Sequence, residues 1–128
     1  MVIRAPAALT PAQQTGADAE RQAAGLLQAD GLKLIARNVR NRFGELDLIA
    51  LERQTLVVIE VRARASARFG GAAVTVDRRK QARIIRATQA WLATQPAHRS
   101  RAIRFDVMAV DAGRPPQWIR GAFLAEGS

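Results

Sequence analysis

Residues 44–64 read GELDLIALERQTLVVIEVRAR, and the pattern of this stretch decides the fold. Its first part, Gly44–Leu51, alternates. Glu45, Asp47 and Ile49 point to one side, and Leu46, Leu48 and Ala50 to the other, the period-2 signature of a strand. Its second part, Thr55–Arg62, is β-branched and strongly apolar, as a central strand covered on both faces should be. There Val58, Glu60 and Arg62 share one face, and Val57, Ile59 and Val61 the other. Glu52-Arg53-Gln54 supplies the turn, so the two runs pair as a hairpin. In that hairpin position 47 faces roughly position 59, with 60 adjacent. Two carboxylates and an arginine therefore gather within strands that are otherwise core material.

The segments on either side complete one α/β domain. Upstream, Thr10-Pro11 offers an N-cap and a first helical residue. The run that follows places Ala19, Ala23, Leu26 and Leu27 at helical spacing, and Gly31 ends it. Gly16 costs roughly 1 kcal/mol inside a helix, so the stable helix is expected from near Ala17. Leu32–Arg37 predicts a short strand before the hairpin. Downstream, a loop at 63–73 holds Phe69-Gly70-Gly71. Asp77 or Thr75 then caps a helix running to about Gln95, ahead of Pro96. Ile84, Ala87 and Trp91 form its apolar row, with Ile85, Thr88 and Leu92 beside it, while Arg79, Arg83 and Arg86 lie on another face. Ala102–Val110 and a stretch near Trp118–Leu124 predict two more strands. The order is α-β-β-β-α-β-β. No repeat or linker interrupts it, so residues 16–125 are expected to form a single domain with a mixed sheet, after a loose tail at 1–15.

Composition removes many chemistries. The 128 residues contain no cysteine and one histidine, His98, which excludes disulfides, thiol nucleophiles and multi-histidine or cysteine metal sites. His98 is expected to be solvated. Phosphate-binding loops of the GxxxxGK[ST] or GxGxxG type are absent, and no serine sits in a nucleophile elbow. A bound metal would need carboxylate ligands and so would be a hard cation such as Mg²⁺. No segment approaches a membrane span and no leader pattern is visible, so a cytoplasmic protein that does not bind membranes is the expectation.

The net charge is +9, and 18 of the 20 cations are arginine. The excess is concentrated, because residues 61–104 alone carry +10. A positive field confined to one third of a chain fits a polyanion such as nucleic acid. Arg64, Arg68, Arg78, Arg79, Lys80, Arg83 and Arg86 are the candidate phosphate contacts, giving salt-dependent and sequence-tolerant binding. A solvated helix face is the plainer reading of the same run.

Asp47 and Glu60 are the chemically interesting pair. A charge inside a central strand is costly unless something pairs with it. Two carboxylates beside Arg62 make a workable Mg²⁺ (or Mn²⁺) site for phosphodiester hydrolysis, and Glu20 joins if the first helix packs beside these strands. The alternative is that Glu45, Asp47, Glu60 and Arg62 are rim charges in surface salt bridges. The residues alone leave both readings open.

Gly44–Ala50, Val58–Arg64, Phe69-Gly70, Val76 with Lys80, and Arg104–Val107 together resemble the YraN-like family of small bacterial proteins. Gly16 with Ala19-Glu20 and Gly121-Ala122-Phe123 also fit, so the resemblance covers about residues 16–124. It implies a restriction-endonuclease-like αβββαβ core, related to archaeal Holliday junction resolvases, with an extra C-terminal strand. It also implies roles: Glu20 as the helix glutamate, Asp47 and Glu60 as metal ligands, and Arg62 where the pattern expects lysine. Structured or branched DNA is the implied substrate, and a homodimer the implied assembly for cutting two strands. Arginine keeps the charge but is bulkier, planar and never deprotonated. An electrostatic role at position 62 therefore survives, and a general-base role does not. A nucleic-acid-binding module that has lost cleavage through Arg62 is the competing expectation.

Overall fold

The structure is a computed structural model and describes residues 11–64, 76–111 and 113–125. Helix α1 (Pro11–Ala29) precedes strands β1 (Lys33–Asn41), β2 (Gly44–Glu52) and β3 (Thr55–Arg64). Helix α2 (Arg78–Leu92) and a 3₁₀ turn at Pro96–His98 lead to β4 (Ile103–Asp111) and β5 (Gln117–Phe123). This is the expected αβββαβ core with an added C-terminal strand. The five strands form one sheet in chain order. β3 and β4 run parallel, joined through α2, and every other neighbouring pair is antiparallel.

The two helices cover opposite faces. On one face Ala23, Ala24 and Leu27 of α1 pack with Leu48, Ala50, Val57, Ile59 and Met108. On the other, Ile84, Ala87, Trp91 and Leu92 of α2 pack with Ile49, Leu56, Val58, Phe105 and Val107. The alternation read in β3 therefore divides its side chains between two cores, and the strand is buried from both sides. In α2 the expected rows are buried except for Ile85, which is half-buried, and Arg79, Arg83 and Arg86 are exposed.

Several boundaries move. α1 starts at Pro11 rather than near Ala17, so residues 11–15 are helical and not part of a loose tail. Proline suits a first helical position, and one internal glycine does not stop a helix of 19 residues. Thr10, the expected cap, lies outside the described residues. Leu26 is 38% exposed, and Ala24 takes its place in the core. β1 extends four residues beyond Arg37, because an edge strand needs no clean apolar alternation. The β2–β3 turn narrows to Arg53-Gln54, with Arg53 at φ 55° and Glu52 paired to Thr55. α2 ends at Leu92, three residues short of Gln95.

One irregularity positions the site. Arg37 pairs with Leu48 and Val39 with Leu46, which sets Asn38 opposite Asp47. Asn38 is in the left-handed region, at φ 53°, a conformation asparagine tolerates better than most residues. Leu46 packs in the α2-side core together with Ile49, so strict alternation in β2 breaks at Asp47.

Candidate active site

The regular β2–β3 pairing runs from Glu52–Thr55 to Leu48–Ile59. The same register would bring Asp47 opposite Glu60. Instead the Asp47 side chain takes over the ladder: Oδ2 accepts the backbone N–H of Val61 at 2.8 Å. Asp47 and Glu60 meet there, close enough for a carboxyl–carboxyl hydrogen bond and direct repulsion. Glu60 is 7% exposed. Burial first, and the Glu60 charge second, push the Asp47 carboxyl up to about 8 from its ordinary 3.8, against the Val61 hydrogen bond, which lowers it.

The cation that reaches this pair comes from α2. Lys80 Nζ lies 2.6 Å from Glu60 Oε1. The start of α2 is fixed locally. Asp77 is the N-cap, in extended conformation, and its Oδ1 accepts the backbone N–H of Lys80 at 2.8 Å. Gln81 Nε2 donates to the Val76 carbonyl at 2.7 Å, closing the same turn.

These groups open onto a cleft of about 520 Å³, lined by Asp47, Glu60, Lys80, Arg83, Arg42 and the β1–β2 tip. Asn41 pins that tip: its Nδ2 donates to the Ala87 carbonyl of α2 at 3.1 Å, and its Oδ1 accepts the Phe43 N–H at 3.0 Å. Gly44, at φ 152°, lets the chain turn beside Arg83; a Cβ there would stand 3.9 Å from that of Arg83. Carboxylates inside and cations at the rim suit a phosphodiester backbone.

The remaining expected residues divide. Glu20 is held by Asn38, whose amide, assigned with Nδ2 toward the carboxylate, donates to Oε2 at 3.1 Å and Oε1 at 3.2 Å. Burial raises the Glu20 carboxyl, and this hydrogen bond opposes the rise. Its charge is felt at Asp47, but it does not line the cleft. Arg62 is half-buried on β3, opposite Ala109 of β4. It too is absent from the described cleft lining. Arg78, Arg79 and Arg86 are exposed on α2, and of the helix's expected phosphate contacts Lys80 and Arg83 enter the cleft. The Arg64 side chain, Arg68 and Phe69-Gly70-Gly71 lie outside the described residues. His98 is half-buried rather than solvated, stacked on Trp91 and accepting from Arg101 Nε at 2.9 Å.

Lys80 and Asn38 are the residues whose places the sequence did not reveal. The signal for Lys80 was its rarity, as one of two lysines among 20 cations. For Asn38 there was none, since its role follows from a backbone conformation.

The donor set fits a hard dication. Mg²⁺ is typically bound through one or two carboxylates and keeps several waters. A cation would also relieve the repulsion that raises the Asp47 carboxyl. Among the described residues no three Asp, Glu or His side chains stand close enough to share one ion, so Asp47 and Glu60 are the ligand candidates and Glu20 is not. No described helix is long and apolar enough to cross a membrane.

Comparison with known proteins gives one consistent result. Residues 19–110 match the model of a family described as "Uncharacterised protein family UPF0102". A UPF0102 protein of Bordetella avium (strain 197N) is 52% identical over 113 residues, covering 88% of this chain and 77% of the relative. One from Xanthomonas oryzae pv. oryzae (strain PXO99A) is 47% identical over 117 residues, covering 89% and 94%. One from Alcanivorax borkumensis is 44% identical over 118 residues, covering 89% and 94%.

Proposed function

The chain belongs to the UPF0102 (YraN-like) family, and from that premise we propose that it is a Mg²⁺-dependent endonuclease acting on structured or branched DNA. The observation that carries this reading is the meeting of Asp47 and Glu60 in a cleft rimmed by Lys80, Arg83 and Arg42. Asp47 and Glu60 would hold the ion. When bound, it would supply Lewis acidity, offsetting phosphate charge and making a water more acidic. The chain's own residues do the rest. Arg42 and Arg83 receive the phosphodiester backbone and orient it over the carboxylates. The hydrogen bond from Val61 N–H fixes Asp47 against rotation, and Asn38 holds Glu20 within electrostatic reach.

Hydrolysis adds one water across the phosphodiester. Its oxygen bonds to phosphorus, the bond from phosphorus to the leaving sugar oxygen breaks, and the displaced oxygen gains a proton. Negative charge grows on the phosphate oxygens and the leaving oxygen as this happens, and a nearby cation lowers that cost.

The test is a panel of junction, flap, duplex and single-stranded DNA incubated with Mg²⁺ or Mn²⁺. Metal-dependent cleavage is expected, and Asp47→Ala is expected to abolish it while retaining the native circular dichroism spectrum. A native chain that cuts nothing in the panel overturns the reading. Arg62 at the strand position expected to hold lysine favours a second reading, a binding module without cleavage. That reading predicts DNA binding in the same panel with no product under any metal.

A further inference from the structure

Position 62 is where the resemblance places the cation of the site, yet the cation that touches the carboxylate pair is on another element. We infer that Lys80, and not Arg62, supplies the positive charge with which this cleft acts on a phosphodiester; the inference rests on the nuclease reading above.

Three observations carry it. The first is reach: Lys80 Nζ is 2.6 Å from Glu60 Oε1, whereas Arg62 does not line the cleft and makes no ion pair among the described residues. The second is fixation. The Lys80 backbone N–H is bonded to the Asp77 cap, so its side chain departs from a pinned point at the start of a 15-residue helix. The third is solvation. The Glu60 side chain is 8% exposed and that of Lys80 37%, so the carboxylate is desolvated while the lysine side chain stays partly open. A phosphate entering the cleft meets that open side.

The chemistry of the two side chains agrees. An ammonium is a compact point charge on a flexible stem, able to sit on one carboxylate oxygen and turn toward a second anion. A guanidinium is a planar fork that needs more room. In the resting cleft Lys80 acts through Glu60, as a positioning residue. With substrate present, its ammonium stands at the carboxylate pair, in the same cleft as Arg42 and Arg83.

The arrangement has a consequence separate from cleavage. An ammonium on Glu60 Oε1 competes with any dication for that oxygen. Removing it should tighten metal binding while slowing the reaction, two effects of opposite sign. Loss of a purely structural salt bridge would not produce that combination.

The experiment compares the native chain with Lys80→Met and Arg62→Met. Mn²⁺ affinity is measured by electron paramagnetic resonance without DNA, and single-turnover cleavage is measured on whichever panel substrate the native chain cuts. Lys80→Met is expected to bind Mn²⁺ roughly tenfold more tightly, because one like charge beside the ion is gone. Its single-turnover rate is expected to fall about a hundredfold, with substrate affinity nearly unchanged. Arg62→Met is expected to stay near the native chain in both measurements.

Unchanged Mn²⁺ affinity or native-rate cleavage in Lys80→Met overturns the inference. So does loss of cleavage in Arg62→Met, whether or not Lys80→Met folds. A native chain that cuts nothing overturns the nuclease reading itself. A native chain that cuts beside an indifferent Lys80→Met overturns only the assignment of Lys80.

Discussion

Burial and the Glu60 charge raise the Asp47 carboxyl to about 8, so near neutral pH the folded, metal-free chain holds a proton that the unfolded chain has released. Below the ordinary 3.8 the group is protonated in both states, and its contribution to stability is fully present. As pH rises from there toward about 8 the unfolded chain ionises first, and that contribution is lost. Asp47→Asn removes the titration, keeps an acceptor for the Val61 N–H, and gives Glu60 an amide donor. The variant is therefore expected to melt higher than the native chain at pH 8, by about 4 °C for a gain of order 1 kcal/mol, with the gap closing near pH 4. Thermal melts with chelator at the two pH values check this, and an equal or lower melting temperature for the variant at pH 8 refutes it. Added Mn²⁺ should raise the native melting temperature and leave Asp47→Asn almost unmoved. The convergence of positions 47 and 60 was legible in the sequence because a strand hairpin constrains its register, although the sequence set 47 roughly opposite 59 and the observed register pairs 48 with 59. The hydrogen bond to Val61 was not, because it replaces a ladder bond that the pattern assumes.

Among the elements, β5 depends most on one side chain. Asp106 of β4 is fully buried, and its two oxygens accept four hydrogen bonds. Arg104 Nε and the Gly121 N–H donate to Oδ1, each at 2.9 Å. Arg104 Nη2 at 3.0 Å and Trp118 Nε1 at 2.9 Å donate to Oδ2. Gly121, at φ 61°, adopts the left-handed backbone that aims its N–H inward. Arg104 and Arg120 then meet at Glu52, and Arg120 continues to Asp30 beyond the end of α1. Asp106→Ala would leave the half-buried Arg104 guanidinium with Glu52 as its remaining partner and take the acceptor from the Trp118 and Gly121 N–H groups, at a cost of about 1–3 kcal/mol. We expect its urea midpoint to fall sharply, with the emission of Trp118 shifting to the red as β5 comes away. A native-like midpoint would show that the sheet edge is held by apolar packing alone, through contacts such as the Phe105–Phe123 stack at 4.9 Å. The existence of β4 and β5 could be read from the stretches Ala102–Val110 and Trp118–Leu124. The bond that joins them could not, because its donors lie 12 and 15 residues beyond Asp106 and converge only after the chain has turned. The same holds for Lys80, whose partner Glu60 lies 20 residues back on the preceding strand and comes within reach only once α2 has packed on the sheet. Core rows follow from local periodicity, whereas polar contacts between elements require the fold.

At the scale of the whole molecule, the sheet joins two opposed charge patterns. Cations are concentrated between residues 61 and 104, and α2 presents Arg79, Arg83 and Arg86 to solvent beside the cleft that holds the carboxylates. A polyanion drawn to that helix is brought against Asp47 and Glu60, which repel it unless Lys80 or a metal offsets them. Binding and cleavage should therefore separate experimentally. In metal-free buffer, DNA affinity is expected to fall steeply with salt, because each neutralised phosphate releases counterions. Replacing Arg79 and Arg83 together by alanine should weaken binding to every DNA in the panel alike. It should also flatten the slope of log affinity against log salt by roughly 2, close to one unit per lost phosphate contact. Asp47→Asn should act in the opposite sense, tightening metal-free binding above pH 8, where the native carboxylate is charged, and changing little near pH 5. Fluorescence anisotropy across a salt series at the two pH values measures both effects. A salt slope unchanged by the double arginine substitution would show that the DNA path avoids α2. A weaker Asp47→Asn complex above pH 8 would show that the bound backbone does not pass over the carboxylate pair, and cleavage at that cleft would then have no substrate in reach.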